Sequence, residues 1–315
     1  MMRGLPDPER FAPTRGNVER VAEPRSWSRG LHIGGSSGEG PGRQPSWPRL
    51  PLLGKSAPVP TADPTVRLSV VVPVYNEADN VLPLLAEIRT ALAGRSFEVI
   101  FVDDHSDDDT AARLLPVLGP DLRLIRHRSR AGQSAAIRTG VMAARGEWIA
   151  TLDGDGQNDP ADLPRLLAVA WAEGGPELVG GLRLKRRDSW SKRVATKIGN
   201  GIRQAVLRDG GPDTGCGIKV FRRDIFLGLP YFAAMHRFLP ALFGIHGARA
   251  EYVPVNHRPR QRGVSKYGNL GRALVGIFDL LGVVWLGRRT RLPGKTTEEL
   301  GPEAREDAVS GRAPY

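Results

Sequence analysis

Cysteine is almost missing from this chain of 315 residues: Cys216 stands alone. One thiol cannot close an intrachain disulfide, so a disulfide-framed secreted fold is excluded and a reducing compartment is expected. Aromatic residues make up only 6% of the sequence, and no aromatic-rich strand or zinc-finger spacing occurs. That leaves little for a nucleic-acid binder to stack bases on or to fold around zinc. No basic-then-apolar leader with a small-residue cleavage site follows Met1, so nothing points to export. Long apolar runs are missing as well. The most apolar late segment, ALVGIFDLLGVVWLG at 273–287, is fifteen residues long and contains Asp279. A helix that crosses a bilayer needs about 20 apolar residues. The segment therefore predicts either a core helix or an amphipathic helix lying on a membrane surface, with Arg272, Arg288, Arg289 and Arg291 beside it.

What the chain does carry is charge, unevenly placed. The net +11 splits into +3 over residues 1–65, −6 over 66–180, +16 over 181–291 and −2 over 292–315. A basic half behind an acidic half is either a solvated face or the footprint of an anionic partner: nucleic acid, anionic lipid or a phosphorylated substrate. Residues 1–65 and 292–315 are polar and show no sustained apolar period, so they are expected to be disordered extensions. No repeat of solenoid length interrupts the chain.

Between those ends the pattern alternates. LSVVVPV (68–74) is a continuous β-branched run, the mark of a strand covered on both faces. Residues 78–93 place Val81, Leu84, Leu85, Ile88 and Leu92 at helical spacing. Strands follow at 97–104, 122–127 and 147–153, with helices at 108–117, 133–144 and 161–173. This alternation predicts an α/β domain, a mostly parallel sheet with helices on both faces. Ligands of such sheets bind at the carboxyl ends of the strands. Tyr75-Asn76-Glu77, Asp103-Asp104 and Asp153–Gln157 would then share one edge.

The motifs at that edge differ in weight. PVYNEADN (73–80) and VDDHSDDDT (102–110) read equally well as strand ends with capped helix starts, Ser106 to Asp109 resembling a capping box, or as acceptors for a nucleobase and ribose. LDGDGQNDP (152–160) is sharper. Carboxylates at i and i+2 of an extended segment point the same way, so Asp153 and Asp155 can reach one cation, and glycines let a ligand approach the backbone. Oxygen donors of this kind suit Mg²⁺ or Mn²⁺. A lone Asp-x-Asp is nonetheless often just a solvated turn.

Together VVVPVYNE, VDDHSDDDT, RAGQSAAIRTG (130–140) and LDGDGQNDP resemble family 2 glycosyltransferases of the GT-A (Rossmann-like) fold. HRPRQRGVSKYG (257–268) is similar, more narrowly, to the branch that moves sugars onto polyprenyl phosphates, of which dolichyl-phosphate mannosyltransferase is the best-known kind. The likeness covers residues 66–291 with the motifs in order. It implies that Asp153, Asp155 and Gln157 hold a divalent cation, Mg²⁺ or Mn²⁺, against the diphosphate of a GDP- or UDP-linked sugar. Asp155 would be catalytic through that ion. Pro73, Tyr75, Glu77, Asp104, Ala136 and Asp153 match donor-nucleotide positions. Arg183, Lys192, Arg193 and Thr196 match contacts to the acceptor phosphate. Arg260, Ser265 and Lys266 match an R-x-x-G-x-S-K loop near the donor phosphates, with Arg260 and Lys266 assigned catalytic roles.

The resemblance implies a glycosyltransferase that moves mannose or a similar hexose to a dolichyl or undecaprenyl phosphate with inversion. A lipid phosphate is already anionic, so no dedicated general base is needed. DTGCGIK (213–219) lacks the Glu-Asp pair of relatives that act on hydroxyls, and Asp213 reads as structural. The expected organisation is an extension over 1–65, a catalytic domain over 66–268, an interfacial or packing helix over 269–291 and a tail over 292–315. The expected location is the cytoplasmic face of a membrane, in peripheral contact. Two other enzyme readings remain: transfer to a glycan hydroxyl, and a sugar-phosphate nucleotidyltransferase, whose glycine-rich loop is missing after the first strand. A nucleic-acid binder leaves Asp153, Asp155 and Gln157 without a purpose.

Overall fold

In a computed structural model, described for residues 65–183, 204, 207, 211–213, 215–259 and 270–292, strands and helices alternate through the first half of the domain. β1 (Leu68–Val74), β2 (Phe97–Asp103), β3 (Leu122–Arg126) and β4 (Trp148–Thr151) are joined by α1 (Ala78–Ala91), α2 (Thr110–Leu114) and α3 (Gln133–Ala143). α4 (Leu163–Ala170) leads to β5 (Leu178–Arg183); β6 (Lys219–Arg222), α5 (Arg223–Gly228), α6 (Leu239–Ile245), β7 (Ala250–Val255) and α7 (Leu270–Arg289) follow. The seven strands form one sheet in the order β3-β2-β1-β4-β6-β5-β7. β6 runs antiparallel to β4 and β5, and the remaining pairs are parallel.

Strand periodicity explains the layers. Val70, Val72 and Val74 of β1 face one core with Val81, Leu84 and Ile88 of α1 and Leu166 of α4. Val71 points to the other core, where Ile100 and Val102 meet Ala136 and Val141 of α3 and Phe243 of α6. Burying each such side chain stabilises the fold by about 1.5–3 kcal/mol, so both faces have to be covered. The chain runs outward from β1 to β3 and then returns to β4 on the other side of β1. β1 and β4 therefore flank a topological switch point, where loops diverge and leave a crevice.

Several boundaries move for local reasons. The second helix ends at Leu114 and tightens into a 3₁₀ turn over Leu115–Val117, because Pro116 has no N–H to continue the α ladder. β4 stops at Thr151, where its antiparallel partner begins at Lys219, so Leu152 and Asp153 lie beyond the ladder. The capping-box reading of Ser106–Asp109 does not hold. Asp109 makes no side-chain cap, and the Ser106 hydroxyl accepts from the Asn76 N–H at 2.9 Å, tying two loops together instead.

The late apolar segment lies in a helix of 20 residues, inside the 269–291 expected for it, with one side buried and the other exposed. Val283 is buried, with Leu280 and Leu286 packed against the second core. Ile277, Phe278, Leu281 and Trp285 form a stripe on the other side, with Phe278 72% and Trp285 64% exposed. Among the described residues, no helix is long and apolar enough to cross a membrane.

Candidate active site

The carboxyl ends of β1 and β2 are laced into one rim. Asn76 (φ 55°) and His105 (φ 67°) take left-handed conformations, which Asn and His tolerate better than most residues, and so reverse the chain just past each strand. Asn76 and Asp107 exchange hydrogen bonds: the Asn76 amide donates to the Asp107 carboxylate, and the Asp107 N–H donates back at 3.0 Å. The Glu77 N–H donates to the Thr110 hydroxyl at 2.8 Å, while the Glu77 carboxylate accepts from the Asn80 amide at 2.6 Å.

Asp104 is committed to protein. Its oxygens accept from the N–H groups of Ala131 at 2.8 Å and Gly132 at 2.7 Å, and His127 Nδ1 lies 2.8 Å away. These bonds pin the loop that carries Arg130, whose guanidinium sits 3.9 Å from the centre of the Tyr75 ring. A flat cation over an aromatic face offers a planar base a surface to stack on. Ala136 is fully buried among the residues of the second core.

Asp153 and Asp155 follow β4 at the switch point. The Asp153 N–H donates to Asn158 Oδ1 at 2.9 Å, and its carboxylate accepts from the Gln133 amide at 2.8 Å. Burial pushes the Asp153 carboxyl up to about 6 and the neighbouring Asp155 charge adds to it, while Lys219, Arg183 and Gln133 pull it back. The residue as a whole is only half-buried. Asp155 in turn accepts from the Gln157 N–H at 3.1 Å.

Two close approaches require glycine. A Cβ on Gly154 would lie 2.6 Å from Val74 Cγ1 and 3.0 Å from the Pro73 carbonyl oxygen. One on Gly217 would lie 2.1 Å from Asp153 Oδ2 and 2.6 Å from Asn158 Oδ1. The carboxylate turn is thus seated between the end of β1 and the strand-like approach to β6.

The residues fit a hard divalent ion. Two carboxylates close enough to repel each other are stabilised by a shared cation, and Mg²⁺ usually takes one or two carboxylates together with substrate phosphates. Among the described residues no group of three or more His, Cys, Asp or Glu side chains forms a complete cage. An ion bound here would complete its coordination with other oxygens, such as those of Gln157, water or substrate phosphates.

Cations stand beside the carboxylates. Arg183, at the end of β5, grips Asp213 with both arms of its fork, Nε at 2.6 Å and Nη2 at 2.7 Å. Burial opposes the Arg183 charge, but Asp213 more than offsets this and holds the guanidinium above its usual range. Lys219, buried at the start of β6, donates to the Cys216 carbonyl, and its burial lowers the ammonium below its ordinary value. Lys192, Arg193, Thr196, Arg260, Ser265 and Lys266 lie outside the described residues.

All five of Gln133, Asn158, Gly217, Lys219 and Arg258 stand within quoted motifs, and Gln133 within the 130–136 loop matched to the nucleotide, but none takes a role of its own from the sequence. Lys219 sits in a short strand that looks like any other, and only its burial beside Asp153 sets it apart.

The profile of the glycosyl transferase family 2 matches residues 69–228, from β1 through α5. The chain belongs to that family. It is 33% identical over 258 residues, 80% of this chain and 75% of the other, to the dodecaprenyl-phosphate galacturonate synthase of Rhizobium johnstonii. Among solved structures it is similar to glucosyl-3-phosphoglycerate synthase from Mycobacterium tuberculosis. The complex of that protein with Mg²⁺ and UDP superposes with a TM-score of 0.54 at 19% identity, covering 69% of this chain and 80% of the other. Its complex with Mn²⁺, UDP-glucose and phosphoglyceric acid gives 0.54 at 20% identity, over 70% and 80% of the two chains. The family 2 sheet seen here, mostly parallel with one reversed strand, is of the GT-A type.

Proposed function

We propose that this family 2 glycosyltransferase moves a sugar from a nucleoside diphosphate sugar to a polyprenyl phosphate, with inversion at the anomeric carbon. The observation that carries the reading is the meeting, at one sheet edge, of the half-buried Asp153–Asp155 pair with the Arg183–Asp213 pair. An acidic seat for a cation with diphosphate adjoins a cationic seat for a second phosphate. The likeness to a dodecaprenyl-phosphate galacturonate synthase supports a polyprenyl phosphate as the acceptor and adds hexuronic acids to mannose and other hexoses as donor sugars.

Asp153, Asp155 and Gln157 would hold the divalent ion, which when bound neutralises charge growing on the departing diphosphate. Tyr75, with Arg130 above it, and the rim of Pro73 and Glu77 orient the nucleotide, with Asp104 contributing by holding the Arg130 loop in place. Arg183 holds the acceptor phosphate in line with the anomeric carbon, with Lys192, Arg193 and Thr196 in the same role, while Arg260 and Lys266 steady the donor phosphates. A phosphate oxygen then forms the new bond to the anomeric carbon as the bond to the diphosphate breaks. No proton has to be removed from the acceptor, which agrees with Asp213 being engaged by Arg183 rather than poised as a base. Orientation by fixed groups is the main contribution of the protein to such a step.

The exposed stripe of α7, with Arg288, Arg289 and Arg291 exposed just behind it, supports peripheral contact with an anionic bilayer on the cytoplasmic face. Each basic residue near such a surface adds about 1 kcal/mol. A donor panel of UDP-galacturonate, UDP-glucose and GDP-mannose with Mn²⁺ tests the reading, run against a short polyprenyl phosphate and the matching free polyprenol. Product is expected with the phosphate alone. Equal transfer to the free alcohol, or none to the phosphate with any donor, would overturn it. Sedimentation with anionic vesicles checks the membrane contact, which fails if the protein stays in the supernatant at low salt.

A further inference from the structure

Arg258 reaches the carboxylate turn from the opposite side of the molecule's sequence, and neither motif nor family assignment gives it a task. Its backbone N–H donates to the Gln157 carbonyl at 3.0 Å. One arm of its guanidinium donates to Glu87 of α1 at 2.7 Å and the other to Asp159 at 2.7 Å. The preceding residue, His257, forms an isolated antiparallel bridge with Asn158. Asn158 is the residue whose side chain caps the Asp153 N–H at 2.9 Å. Residues 157, 158 and 159 are thus each tied to residues 257–258, and through Glu87 the whole assembly is tied to α1.

The turn needs such ties because packing does not supply them on this side. Asp155 and Gly156 border a cavity of about 90 Å³, walled by Asp79, Asn80, Pro83, Leu84, Glu87 and Arg258. With a void beside it, the turn depends on directional polar contacts for its shape. A guanidinium suits that task, since its planar fork can hold two carboxylates at fixed angles, which an ammonium cannot.

We propose that Arg258 is a positioning residue: it fixes the 157–159 turn against α1 so that Asp153 and Asp155 present their oxygens to a divalent cation. This deepens the metal-assisted reading above and rests on it. The Arg258 side chain is 31% exposed, Glu87 43% and Asp159 13%. The partly exposed pair with Glu87 contributes little to stability. The role is geometric, and the two contributions separate in experiment.

The test compares wild type with Arg258→Ala and Arg258→Lys, using Mn²⁺ with UDP or GDP, whichever the wild type binds. Free Mn²⁺ is read by electron paramagnetic resonance. Loss of a partner just outside the ligands typically weakens metal binding about 10- to 100-fold. Arg258→Ala should weaken uptake of Mn²⁺ with nucleotide at least about 10-fold on that scale. Its melting temperature without ligand should stay close to wild type. The Mn²⁺ concentration for half-maximal transfer should rise in proportion, with kcat largely restored at saturating Mn²⁺. Arg258→Lys, able to keep one tie, should fall between the two. Unchanged Mn²⁺ affinity in Arg258→Ala, whatever its melting temperature, would overturn the proposal. If that variant does not fold, wild-type affinity in Arg258→Lys overturns it equally. A wild type that takes up no Mn²⁺ with either nucleotide would instead sink the metal-assisted reading itself.

Discussion

Glu98 and Asp153 lie at opposite ends of the same sheet and are treated in opposite ways. Glu98, near the amino end of β2, is fully buried, and its oxygens accept from the Ser69 hydroxyl at 2.7 Å, the Arg145 N–H at 2.7 Å and the Arg123 and Arg145 guanidinium groups at 3.1 and 3.0 Å. Burial would raise its carboxyl, but the Arg145 N–H, Ser69 and Arg123 outweigh that and hold it below its ordinary value. Asp153 has one amide donor, Gln133; burial first and the like-charged Asp155 second push it up to about 6, against the pull of Lys219 and Arg183. A carboxylate compensated from every side serves the fold. One left short of compensation at a crevice is a candidate functional group, since perturbed groups of this kind cluster where chemistry happens.

The contrast yields variants that should separate function from stability. Asp155→Ala has the largest expected effect: transfer should fall by about 10²–10³-fold or more, the scale of losing a main electrostatic stabiliser of a transition state. Its thermal midpoint should not drop. Residual turnover above a tenth of wild type would remove Asp155 from the site. Gly217→Ala comes next. Its methyl would meet Asp153 Oδ2 at 2.1 Å, so the carboxylate has to move. A loss of about 10- to 100-fold in Mn²⁺ affinity is expected, as for other disturbances just outside the ligands. Isothermal titration with Mn²⁺ and nucleotide measures it.

Glu98→Gln should show the reverse profile. It removes a buried anion from its arginines and should cost about 2 kcal/mol in urea unfolding, a discounted figure because Arg123 and Arg145 are partly exposed. Activity per folded molecule should persist. Activity that falls with stability intact would erase the distinction between the two ends of the sheet.

The smallest effect is a pH slope of opposite sign at the two residues. Glu98, held below 4.5, contributes stability that is present above that value and is lost as the pH falls through its folded value. Asp153, raised from 3.8 to about 6, binds its proton more tightly when folded, so metal-free stability declines as the pH rises from 4 through 6. Asp153→Asn should therefore be more stable than metal-free wild type at pH 7, by about 1 kcal/mol, with the gain vanishing near pH 4. Thermal melts across that range decide it. A gain that does not depend on pH would mean Asp153 is not under the strain described.

Much of the parallel half was legible in advance. LSVVVPV became β1 at its expected limits, because a run of β-branched residues buried on both faces has few alternatives. The helix containing Val81, Leu84, Leu85 and Ile88 formed with those four buried, since its apolar stripe had to meet the sheet. β5, β6 and β7 were not read from the pattern. β6 is four residues long and sits between partners with Gly180 and Gly181 on one side, so neither length nor alternation announces it. The outward stripe of α7 was also undecided, because a helix apolar on two sides looks the same in sequence whether a core or a lipid covers it.

The sequence by itself determined the α/β alternation, the placing of Asp153 and Asp155 just past a buried strand and, through its ordered motifs, the family. Those are local properties: strand and helix periods, and a short spacing that aims two carboxylates the same way. The tertiary structure alone decided that β1 and β4 are neighbours, that Arg183 faces Asp213, and that Arg258 closes on Asp159 and Glu87. These contacts join residues far apart in the chain, and their geometry is set by strand order and packing rather than by any neighbouring residue.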